Sequence, residues 1–134
     1  SEFSMNSATF KIIRQFLGIT ADEVAKACGV TLRSARRWES THTPPDDAVQ
    51  WLHAKWAAMD ANVASIIEDI AAHEEVAGEK RIHLTAYRTD VSASGALPPG
   101  VSKEQHAAIL GAVQFLTMHD DQVHITIDFA DTGE

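Results

Sequence analysis

The chain has 134 residues, 45% hydrophobic and 22% charged, with a formal net charge of -8 at pH 7. This is ordinary usage for a globular domain with a buried core. No apolar run approaches the ~18 to 20 residues of a membrane span, and no secretory leader can be read. A cytoplasmic protein without a membrane partner is therefore expected, and the single cysteine, Cys28, excludes an internal disulfide.

Charge is divided unevenly. Residues 1–43 carry six basic and four acidic residues, a net +2, whereas the remainder carries five basic and fifteen acidic, a net -10. A basic module on an acidic body is compatible with a nucleic-acid partner even though the overall pI is low.

Taken in chain order, Ser1 to Ser4 ahead of Met5 read as a cloning remnant. A first domain over 5–45 holds three short helices. Phe10, Ile13, Arg14 and Leu17 stand at helical spacing and Gly18 is a stop. A second helix opens on the capping box Thr20-Ala21-Asp22-Glu23 and closes at Gly29; a third starts at Thr31, turns Ala35 and Trp38 inward and ends near Ser40. Pro44-Pro45 breaks the pattern and Asp46-Asp47 restarts it.

From Val49 through Leu52, Trp56, Met59, Val63, Ile66 and Ile70 to His73, apolar positions recur in steps of three and four, predicting a long amphipathic helix within 46–78, ending before Gly78. In 79–134 the period changes to two: Ile82, Leu84 and Ala86 form one strand, and Val123, Ile125, Ile127 and Phe129 another. Between them lie a loop with Gly95, Pro98, Pro99 and Gly100, then a helix capped by Ser102 that buries Ile109, Leu110, Val113 and Leu116. The expected fold class is α+β: an N-terminal helical bundle, a long helix and a small β-α-β unit. Two strands joined through a helix run parallel if adjacent, and a lone two-stranded sheet is marginal, so this region is expected to dimerise, with the apolar face of the long helix from Val49 to His73 as the alternative dimer surface.

The segments Gly18-Ile19-Thr20-Ala21-Asp22-Glu23-Val24-Ala25, Gly29-Val30-Thr31 and Ala35-Arg36-Arg37-Trp38-Glu39 resemble the lambda-repressor-like (Cro/XRE) helix-turn-helix family over about residues 8–52. A departure is Ser40-Thr41-His42, where the family usually carries a glycine after the glutamate. The resemblance implies base contacts from Leu32, Arg33 and Arg37, with Arg36 reaching base or phosphate. Backbone contacts would come from Thr20, Lys26, Thr31, Ser34, Thr41, His42 and Thr43, and Arg14 and Glu39 would form a structural ion pair. The chemistry agrees, because guanine O6 and N7 form a paired acceptor that suits a guanidinium fork, and a leucine can meet a thymine methyl.

Other side chains fit plainer roles. Trp38, Trp51, Trp56 and Cys28 suit core positions, and His83 and His124 suit the exposed face of a sheet; no metal site or cofactor is expected. No catalytic arrangement is recognisable, so no enzyme activity is expected. The expected function is a homodimeric transcriptional repressor or autorepressor that reads an inverted repeat in double-stranded DNA. The alternative is an antitoxin or other protein-sequestering partner acting through the C-terminal region.

Overall fold

The computed structural model describes residues 4–89, 95–98 and 100–130. Residues 1–3 of the expected cloning remnant and Pro99 of the expected loop lie outside these. The elements are α1 (Ser7–Phe16), α2 (Ala21–Cys28), α3 (Leu32–Arg37), α4 (Asp46–Ala72), β1 (Lys80–Ala86), α5 (Lys103–Thr117) and β2 (Val123–Phe129), a mixed α+β composition. The chain forms two compact units, Ser1–Met59 and Asp60–Glu134, and α4 runs through the division.

In the first unit every short helix begins on a side-chain cap, which supplies an acceptor for N–H groups that the helix cannot satisfy itself. The Asn6 side chain accepts from the Thr9 amide. Thr20 accepts from the Glu23 amide, and the Glu23 carboxylate accepts in return from the Thr20 amide, completing the expected capping box. Thr31 accepts from the Ser34 amide. Gly29, at φ +68°, closes α2 in the left-handed region, where a side chain would be strained. The buried residues are Phe10, Leu17, Ile19, Val24, Ala25, Ala35, Pro44, Ala48, Val49, Leu52 and Met59.

The structure departs from expectation at two places in this unit. The third helix stops at Arg37, and the chain goes on to Ser40 in i→i+3 turns from Trp38, Glu39 and Ser40 to Ala35, Arg36 and Arg37. Trp56, expected in the core, is 46% exposed, while Trp38, Trp51 and Cys28 are half-buried.

In the second unit α4 ends at Ala72, several residues before Gly78. Its last turn holds no basic residue, and Glu74-Glu75 would put negative charge at the negative end of the dipole. Lys80 supplies the missing cation: its Nζ donates to the carbonyls of Ile70 at 3.2 Å and Ala71 at 2.7 Å. A tight turn follows, with reciprocal bonds between Val76 and Glu79 and positive φ at both Ala77 (57°) and Gly78 (80°), the signature of a type I′ turn.

β1 and β2 pair in parallel, from Lys80 opposite Val123 to Ala86 opposite Phe129. α5 packs on both strands. It buries Gln105, Ile109, Leu110 and Val113; Leu116, expected with them, is half exposed. On the opposite face of the sheet Arg81, His83, Thr85, His124, Thr126 and Asp128 are exposed, and His83 Nε2 lies 2.6 Å from Asp128 Oδ2.

Candidate nucleic-acid interface

The site is built on α3. Leu32, Arg33, Arg36 and Arg37 occupy positions i, i+1, i+4 and i+5, which fall on one side of a helix, while Ala35 on the other side is fully buried. Together with Ser40 these four side chains line an open depression of about 430 Å³. The three arginines are exposed, and among the described residues none of them takes part in an ion pair. Their donors can therefore be transferred to an external acceptor without breaking an ion pair among the described residues.

The face is held from behind. Arg14 on α1 grips Glu39 with both edges of its fork, Nε to Oε2 at 3.0 Å and Nη2 to Oε1 at 2.8 Å, and its Nη1 donates to the Ile19 carbonyl at 2.7 Å. Phe10 meets Trp38 edge to face, with ring centroids 6.4 Å apart. One polar and one aromatic contact thus tie α1 to the two residues that follow α3. α2 packs against α3 across the Gly29 turn.

The residues expected at a phosphate backbone are less uniform. Thr20 and Thr31 are exposed at the starts of α2 and α3 with their hydroxyls engaged as caps. Ser34 is half-buried, and its hydroxyl lies 3.1 Å from that of Thr31. Lys26 pairs with Asp22 at 3.0 Å one helical turn away, an exposed pair that is readily exchanged. Thr41 and His42 are exposed and bonded to one another, Oγ1 to Nδ1 at 2.8 Å, and the His42 carbonyl accepts from the Ser7 hydroxyl at 2.9 Å. Thr43 is exposed beside them. Ser40 belongs to the depression and is not among the expected contacts; its spacing of four from Arg36 is the signal that marks it.

The Cys28 thiol is pushed above its ordinary pKa, first by burial and then by the neighbouring Asp47 carboxylate. Among the described residues no three His, Cys, Asp or Glu side chains gather as a metal set, and no helix is long and apolar enough to cross a membrane. No protein-family model matches the chain, and no curated protein matches its sequence.

Proposed function

We propose that the chain is a sequence-specific double-stranded-DNA-binding transcriptional regulator, with α2, the Gly29 turn and α3 serving as a helix-turn-helix. It acts as a homodimeric repressor or autorepressor on an inverted repeat, blocking a promoter by occupancy. The observation that carries the reading is the joint placement of Leu32, Arg33, Arg36 and Arg37 around one open depression, the three arginines taking part in no ion pair among the described residues. A bidentate guanidinium contact to guanine O6 and N7 discriminates by about 1–3 kcal/mol per base, which is the scale a short recognition helix requires. Leu32 supplies an apolar contact suited to a thymine methyl. Thr20, Thr31 and the Thr41 to Thr43 segment are exposed, and with the half-buried Ser34 they fix register on phosphate rather than read sequence.

The test is selection of bound sequences from random duplex DNA by the purified chain. Enrichment of an inverted repeat containing guanines, with half-sites about 10 base pairs apart, supports the reading. Recovery of no sequence above background rejects it in favour of a protein-binding role.

A further inference from the structure

The two outer edges of the sheet differ. In a parallel pair, alternate residues point their N–H and C=O to the same side. Lys80 N donates to Gln122 O at 2.7 Å and Ala130 N to Ala86 O at 2.9 Å, which fixes the phase. Backbone groups of Arg81, His83 and Thr85 therefore point out from β1, and those of Val123, Ile125, Ile127 and Phe129 point out from β2. The β1 edge is partly covered, because His106 Nε2 on α5 lies 2.7 Å from the Thr85 carbonyl oxygen. On the β2 edge the Val123 amide donates to Asp120 O at 3.1 Å, and among the described residues no backbone group outside the sheet bonds to Ile125, Ile127 or Phe129.

That edge carries few of the usual deterrents to pairing, Asp128 being its one carboxylate. Val123 to Phe129 includes no lysine, proline or glycine, and Ile127 and Phe129 are 38% and 50% exposed although their side chains point to the apolar face. Arg88 covers one side of the Phe129 ring at 4.0 Å, and half of that residue remains in water.

The strand is complementary to itself in one register. Antiparallel pairing of two copies must set outward-pointing residues opposite one another, so a two-fold axis passes through a residue position. With the axis at Thr126 each of the seven residues faces one of the partner's: Ile125 faces the partner's Ile127, Val123, whose amide is already held by Asp120 O, faces the partner's Phe129 by its side chain, and on the polar face His124 meets the partner's Asp128. Moving the axis to Ile125 sets Phe129 opposite the partner's Asp121, and moving it to Ile127 sets His124 opposite the partner's Ala130. Only the Thr126 axis matches apolar to apolar and imidazole to carboxylate throughout.

We infer that a second copy of this chain docks on the outer edge of β2, antiparallel about Thr126, to make a four-stranded sheet in the order β1-β2-β2-β1. The inference rests on the dimeric reading above and names the surface that makes the dimer. It covers Ile127 and Phe129 and satisfies the open backbone groups, which a two-stranded sheet cannot do alone. Asp128, already 2.6 Å from His83 in its own chain, then stands between that imidazole and the partner's His124.

The test uses the full chain with Cys28→Ala as background. Residues on the axis form a non-hydrogen-bonded pair with Cα atoms about 4.5 Å apart, within the range a disulfide spans. Mild oxidation of Thr126→Cys is expected to give a reducible covalent dimer, whereas Thr85→Cys on β1, whose two copies lie farther apart across both β2 strands, stays unlinked. Light scattering of the parent at a few tens of micromolar is expected to read twice the 14.6 kDa chain mass, and Ile127→Lys to read the monomer with an unchanged far-UV spectrum. An unlinked Thr126→Cys chain, a monomeric parent, or a dimer that survives Ile127→Lys would each overturn the interface. A linked dimer that selects no duplex would leave the interface standing and reject the DNA reading. A parent chain that selects duplex, with a Thr126→Cys variant that does not link, would do the reverse.

Discussion

Removing one member of the Arg14–Glu39 pair should destabilise the first unit far more than an ordinary surface pair would. The side chains are only 13% and 8% exposed, so solvent screens the interaction little. Glu39→Gln keeps the shape but leaves one acceptor where two charged ones stood, with the Arg14 guanidinium still buried and held otherwise by the Ile19 carbonyl. Breaking a buried pair by removing one partner costs about 3–5 kcal/mol, and exposed pairs contribute about 0–1 kcal/mol. The surviving carbonyl contact places Glu39→Gln at the lower end of the first range, at about 3 kcal/mol. Urea unfolding followed by tryptophan fluorescence suits the purpose, since Trp38, Trp51 and Trp56 all lie within Ser1–Met59. The double variant Arg14→Met with Glu39→Leu should lose much less than the sum of the two single changes, because no uncompensated charge remains. A Glu39→Gln loss below about 1 kcal/mol, or additive single and double variants, would show that the pair does not clamp α3 to α1.

Three further outcomes are expected. Affinity for duplex DNA should fall steeply with salt despite the net charge of -8, the logarithm of the binding constant dropping by about 0.9 per phosphate contacted for each unit of log salt; a flat titration would rule out backbone contact by the cations of residues 1–43. Ala77, held at φ 57°, should be replaceable by Gly or Asn with a gain of roughly 1 kcal/mol in thermal or urea unfolding, and a loss would mean that the type I′ turn is not the native one. The Cys28 thiol should alkylate with a midpoint above that of a free cysteine, and Asp47→Asn should lower it. Because the folded pKa is raised, its contribution to stability is complete below the unfolded pKa and is lost as pH rises through the folded one, so stability should decline on the alkaline side of about pH 8.5. An alkylation midpoint equal to that of a free thiol would contradict this.

Much of this molecule is written locally. The caps at Thr20, Thr31 and Ser102 can be read because each acts within three residues, and the parallel sheet follows from period-two alternation on either side of a helix. The four residues around the α3 depression are visible as one helical face opposite Ala35. What spacing cannot give is the thing that covers a face. Trp56 and Leu116 keep the rhythm of buried positions and are nevertheless about half exposed. The early end of α4 is hidden for another reason: its C-terminal cap is Lys80, and the turn that follows depends on an alanine in a left-handed conformation, which sequence propensity disfavours. The Arg14–Glu39 clamp spans 25 residues, beyond the reach of any periodicity, and only the family resemblance implies it.

Whether the exposed face of α3 reads base sequence is decided by the affinity of Arg33→Ala and Arg37→Ala for a duplex selected by the parent chain. Each substitution should weaken specific binding by about 1–3 kcal/mol and relax preference at one base position, with the unfolding curve unchanged. Lys26→Ala, whose side chain is paired with Asp22 away from the depression, should lower affinity by a similar factor for selected and unrelated duplexes. Full affinity and unchanged base preference in both arginine variants, with Lys26→Ala alone impaired, would contradict the account.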